Sequence, residues 1–344
     1  MHISIFPNDV PNLLHELSLA PEMQRLAGVG MHCGCEYTDA PVYENERYPY
    51  SRLLHSIGVS RIVWNFTKDI NQAVAGLLHD IATPVFAHTI DFMNNDHMLQ
   101  ESTEQQTLSF ILESKQIMEL LDLNGIRVED ICDYHIYPLA DNDTPKLSAD
   151  RLEYTIGNGH NIFGVELDQI SEMFDDLIVV ENEIGEKEMC FQTTKKAKAF
   201  SFMALRNSYF YVSDEDRYSM QYLAGIMQRA IKKEVLTLED LHTTENEVID
   251  KMSQDRELLA QWEEFSRISS VNISPGALCD RYCVNVDAKK RYIDPLTMTD
   301  KGIARASEIF PDLKRDISAF LALDFNYWLY VETSRYDSIR IRPE

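Results

Sequence analysis

The chain has 344 residues, 44% of them hydrophobic, with 56 acidic against 32 basic side chains and a formal net charge of −24. That length allows one large domain or two small ones, and the charge argues against a long nucleic acid as partner, because such binding comes largely from neutralising phosphates. The six cysteines are too sparse for a disulfide scaffold and fit a reducing cytoplasm.

No run approaches the roughly 18 apolar residues of a membrane span. The opening "MHISIFPNDVPNLLHEL" lacks the basic start and apolar middle of a signal peptide. The expectation is a cytoplasmic protein with no membrane partner. A small anion, bound through a metal and a few arginines, remains compatible with the acidity.

In chain order the pattern is mostly helical. "HCGC" (32–35) and, far downstream, "CDRYC" (279–283) offer zinc-binding thiols, but neither has the usual CxxC spacing, and ordinary reduced thiols are the preferred reading. "INQAVAGLLHDIA" (70–82) has Ala73, Val74, Leu77, Leu78 and Ile81 at helical spacing. "STEQQTLSFILESKQIMELLDLNGI" (102–126) opens with a capping pattern, carries an apolar stripe and stops at Gly125, which predicts one long helix. Ser148 or Thr144 would cap a helix starting at Asp150.

"DLIVVENEIGEKEMCFQ" (176–192) reads as strand, turn, strand. Two amphipathic helices follow, over 214–236 and 243–254. "YCVNVDAKKRYIDPL" (282–296) is extended and ended by Pro295, and "FNYWLYVE" (325–332) alternates in a way that suits pairing with it. The expected organisation is a helical core over 1–165, a β-hairpin insertion over 166–195, and a helical C-terminal region with short strands over 196–344.

The chemistry concentrates in four places. His55 lies in "SRLLHSIGV", His79 and Asp80 in "LLHDIATPVFAH", and Asp150 in "KLSADRLEY". Imidazole with carboxylate suits a divalent cation such as Mn, Fe, Zn or Mg. An ionised Asp80 after apolar Leu77 and Leu78 needs a partner. Neighbours on a helix point about 100° apart, so His79 and Asp80 share an ion only across the helix edge. His55 and Asp150 then arrive from neighbouring helices, which leaves open positions for water and substrate oxygen.

His, then His-Asp, then a distant Asp is the pattern of the HD-domain phosphohydrolases, and the chain resembles their deoxynucleoside triphosphate triphosphohydrolase-like branch. "PEMQRLAGVG" (21–30) looks like that branch's Gln-Arg-Leu opening, and "RLLHSIGV" (52–59) is similar to its Arg-Phe-Glu-His-Ser-Leu-Gly-Val motif. "LLHDIATPVFAH" aligns with Leu-Leu-His-Asp-Ile-Gly-His-Gly-Pro-Phe-Ser-His, and "SADRLEYTIGN" resembles Asp-Lys/Arg-x-Asp-Tyr. Weaker similarity runs on to "KKRYIDPL".

The resemblance implies a mostly α HD-domain core with a small β-hairpin and a minor α/β C-terminal part. It makes His55, His79, Asp80 and Asp150 the ligands of one divalent ion (Mn, Fe, Zn, Ni or Mg). Arg52 and Arg151 take phosphate-facing positions, and Tyr154 that of a tyrosine beside the nucleotide. His88 and Asp91 fall near the leaving group or the attacking water, with His88 the first choice for general acid. Related triphosphohydrolases are oligomeric, so a homo-oligomer, most simply a dimer, is expected.

The chain departs from the family at Thr83 and Thr103, which stand where two acid/base histidines belong. Thr83 remains suited to hydrogen-bonding a phosphate oxygen, but it is a poor proton donor. Met31 or His32 falls where the family has a sugar-reading glutamine. The expected activity is hydrolysis of a nucleotide-like phosphoester or phosphoanhydride. The alternatives are a catalytically weakened nucleotide sensor and a dinuclear iron oxygenase, the latter taking a second metal through His97 or His135.

Overall fold

Two consecutive helices form the hairpin on which the site is built. Ser51 caps the first, Arg52–Thr67, by accepting from the backbone N–H of Leu54, and Lys68 ends it in a left-handed turn. Asp69 then caps Ile70–Leu78 by accepting from the N–H groups of Asn71 and Gln72. A Cβ at Gly76 would stand 3.2 Å from Val59 and 3.4 Å from Val63, so the missing side chain sets how closely these helices meet. This computed structural model describes residues 1–93 and 106–332.

The second helix stops at Leu78, four residues before the end that periodicity predicts. Short-range bonds take over from there, from Ile81 N–H to Leu78 O and from Thr83 N–H to Asp80 O. Ser148, rather than Thr144, caps the third site-bearing helix, Ala149–Asn161, by accepting from Arg151 N–H.

Of the long helix expected over 102–126, the part before 106 lies outside the described residues. The remainder is two helices, Thr107–Glu113 and Lys115–Leu123. The break falls at Ser114, which is buried. Its hydroxyl donates to Glu22 and accepts from Ile117 N–H, capping the second helix. Gly125, at φ +64°, ends that helix as expected. Asp214–Lys232 and Glu245–Ser253 are helical, the latter opened by a capping box of Thr244 and Glu247.

β1 (Leu177–Glu181) and β2 (Lys187–Phe191) form the predicted antiparallel hairpin. A second sheet joins β3 (Asn272–Ser274) and β4 (Cys283–Val284) through β7 (Trp328–Tyr330), so "FNYWLYVE" does pair with the 282–296 segment. Pro295 does not end extended structure. β5 (Leu296–Thr299) follows it, pairs in parallel with β2, and continues into β6 (Gly302–Arg305). The main apolar core runs from Phe6 to Val331 and includes Val59, Leu77, Leu152 and Tyr222. A smaller cluster around Leu205, Leu313 and Phe320 underlies the C-terminal part. Among the described residues no helix is long and apolar enough to cross a membrane.

Candidate metal centre

His55 sits one turn into its helix, His79 and Asp80 lie in the turn after Leu78, and Asp150 is in the first turn of Ala149–Asn161. The helix ends at Leu78, but His79 keeps a helical backbone, φ −57° and ψ −37°, as the chain enters the turn. One donor atom from each of His55, His79 and Asp80 lies within 4.8 Å of the other two. Asp150 Oδ1 closes the group, 3.0 Å from His55 Nε2 and 3.7 Å from His79 Nε2.

Outer contacts aim the rings. His79 Nδ1 donates to Gly76 O at 2.8 Å, so Nε2 faces the centre. His55 Nδ1 donates to Glu153 Oε2 at 2.5 Å, which turns its Nε2 toward Asp150. Asp80 accepts from Arg52 Nη1 at 3.2 Å and from the Thr83 hydroxyl at 2.7 Å. Burial alone would raise the Asp80 pKa, but Arg52, His79 and His55 hold it well below the usual carboxylate range. Burial pushes His55 the other way, and Glu153 and Asp150 outweigh it, lifting the imidazole to about 10. Two oriented imidazoles and two carboxylates facing one point are the donors a divalent cation takes.

Glu153 is a site residue that the motifs did not single out. Its side chain is fully buried and accepts from His55, from His2 Nε2 and from Tyr50 Oη. Burial would raise its pKa, but His2 and His55 hold it down at about 2. The signal for Glu153 is its spacing, three residues after Asp150 on one helix face. His2 has no such signal, since it comes from 151 residues away.

A cavity of about 680 Å³ opens over the centre, and Arg52, Thr83, His88, Arg151 and Tyr154 reach its wall. Arg52 is buried against Asp80. Arg151 donates to the Thr144 hydroxyl at 2.9 Å and stands 3.8 Å from Asp141. Burial raises the Tyr154 phenol to about 12. Thr83 spends its hydroxyl proton on Asp80.

His88 follows two residues with left-handed backbone, Phe86 and Ala87, and that turn brings it back to the cavity. Leu241 O and Glu245 hold the turn by accepting from the N–H groups of Val85 and Phe86. His88 Nδ1 lies 2.8 Å from Asp91, which is fully buried behind the ring. Burial lowers the His88 pKa, against the pull of Asp91.

His135 also reaches the cavity, 3.0 Å from Asp133 and 3.6 Å from Asp141. It is outside the His55–His79–Asp80 group, the one such group found among the described residues. His97 and Thr103 lie outside the described residues. All six cysteines are free thiols, and the cysteine zinc cluster does not form among the described residues.

Fold and site together define a mostly helical protein with a two-histidine, two-carboxylate centre under a polar cavity. No family model matches the chain. The chain is 25% identical over 314 residues to the uncharacterised protein YdhJ of Bacillus subtilis, covering 89% of this chain and 90% of that one. It is 27% identical over 148 residues to the metal-dependent phosphohydrolase cns2 of Cordyceps militaris, a match spanning 42% of this chain and 39% of that protein. The fold is shared with a hypothetical protein from Aquifex aeolicus (TM-score 0.63, 17% identity, 94% of this chain and 93% of that one). It is also shared with a phosphohydrolase from Bacteroides thetaiotaomicron (TM-score 0.62, 14% identity, 95% and 96%).

Proposed function

We propose that this chain is a metal-dependent phosphohydrolase acting on a small, nucleotide-like phosphoester or phosphoanhydride. The observation that carries the reading is the convergence of His55, His79, Asp80 and Asp150 at the wall of a cavity that also holds His88 and the arginines Arg52 and Arg151, among others. The name of the Cordyceps relative and the fold shared with the Bacteroides phosphohydrolase support it.

A divalent cation held by the four ligands would polarise a phosphoryl oxygen and lower the pKa of water beside it. The chain's own residues supply the rest. Arg151 presents its guanidinium to phosphate oxygens, and Arg52 adds positive charge while fixing Asp80. Asp91 binds His88 Nδ1, which leaves Nε2 to carry a proton to the departing oxygen. Thr83 orients Asp80 and takes no part in proton transfer. Tyr154 lines the space for the organic part of the substrate.

The commitment of the Thr83 hydroxyl to Asp80 favours one second reading, a nucleotide-binding protein with weakened turnover. Metal analysis of the purified chain, followed by a hydrolysis screen over nucleoside mono- and triphosphates and an aryl phosphate, separates the two. Turnover supports the hydrolase, whereas tight binding of a nucleotide without turnover supports the sensor.

A further inference from the structure

Part of the cavity wall comes from the C-terminal part of the chain. The segment after β4 is clamped at three points. Fully buried Arg217 donates to Val286 O. Lys290 Nζ donates to the carbonyls of Leu321 and Leu323, and Asp294 N–H donates to Pro145 O at 2.9 Å. Asp287, Ala288, Lys289 and Arg291 of this segment line the cavity.

Arg291 is half-buried there, and no carboxylate stands within ion-pair distance of it among the described residues. By contrast, Arg52 is paired with Asp80 and Arg151 stands beside Asp141. Beyond the effect of burial, the Arg291 charge lowers the pKa of His88, and together with Arg151 it opposes the rise at Tyr154. It therefore stands near enough to act on residues of the helical core.

We propose that Arg291 is an anion-binding residue of the cavity, a guanidinium that grips the phosphate oxygens of the substrate from the C-terminal part of the wall. The substrate class is then a phosphate ester or anhydride whose phosphoryl group is held between the two parts of the chain. This rests on the phosphohydrolase reading but makes its own claim, that phosphate affinity depends on a residue about 140 positions beyond the last metal ligand, Asp150.

The test uses the full chain loaded with Mn²⁺ and inorganic phosphate as the probe, with binding measured by calorimetry. Losing a charge-assisted hydrogen bond weakens binding about ten- to hundredfold, so Arg291→Gln should bind phosphate that much more weakly. Arg291→Lys should recover part of the loss. The melting temperature should not move, because the side chain has no carboxylate partner to lose. Lys301→Gln, exposed in the turn between β5 and β6, removes the same charge elsewhere and should bind phosphate like the wild type. Equal phosphate affinity in Arg291→Gln and wild type, or no phosphate binding by either, overturns the proposal. Turnover of phosphoesters is scored separately. A wild type that hydrolyses none while Arg291→Gln still loses phosphate leaves Arg291 as an anion site and removes the hydrolase reading. Hydrolysis with a KM unchanged in Arg291→Gln does the reverse.

Discussion

Glu153 holds His55 by its Nδ1 at 2.5 Å, on the side of the ring away from Asp150. The carboxylate is buried and is itself held by His2 and Tyr50. The orientation of His55 thus depends on the second residue of the chain. Outer contacts of this kind commonly carry ~10–100-fold in metal affinity. Glu153→Gln should therefore weaken Mn²⁺ binding by about that factor, and His2→Ala should act in the same direction. Titration of metal into the metal-free protein gives the comparison, and an unchanged affinity in Glu153→Gln would show that the contact only fills space.

Asp80 answers to Arg52, Thr83 and both histidines at once. Asp80→Ala should lose the metal altogether and leave Arg52 buried without its carboxylate. Elemental analysis of the purified variant reads this directly. Full occupancy would remove Asp80 from the ligand set.

His88 reaches the cavity but stands outside the metal-ligand group. His88→Ala should lower kcat by ~10²–10⁴ with metal content unchanged. Asp91→Asn should produce a smaller fall, because it disturbs the ring's orientation and leaves the ring in place. If His88→Ala keeps full turnover, the proton comes from elsewhere.

Thr83 holds Asp80 and has no proton to give a leaving group at neutral pH. Ordinary dNTPs should be poor substrates, and an aryl phosphate, whose leaving group needs less protonation, should be better. Initial rates for dGTP and p-nitrophenyl phosphate decide it, and fast dGTP hydrolysis would show that the threonine costs nothing.

Burial raises the Asp216 carboxyl from an ordinary 3.8 to about 7. The folded chain then keeps a proton between those values that the unfolded chain has given up. Stability from this group is complete below about pH 4 and declines as pH rises to about 7. Asp216→Asn removes the decline. Melting temperatures from pH 5 to pH 8 should fall less steeply for the variant, and parallel curves would contradict the assignment.

Several features were legible in the sequence because they are local. The start of Ile70–Leu78 follows from helical periodicity, and the β1–β2 hairpin from two apolar runs around a glycine turn. That His55, His79, Asp80 and Asp150 come together was legible from the order of their motifs. Tertiary contacts decided the rest. Ser114 breaks a stripe that reads as one helix because its hydroxyl serves Glu22, far away in sequence. The helix before His79 ends early, where short-range bonds replace its last turn. β2 pairs with β5 across about a hundred residues, which no period of two announces. His2 and Arg291 reach the site from distant parts of the chain, His2 through Glu153 and Arg291 at the cavity wall. Periodicity and capping record which bonds the backbone can make with itself. Which distant side chain satisfies a buried carboxylate, or faces a cavity, is set by how the elements pack.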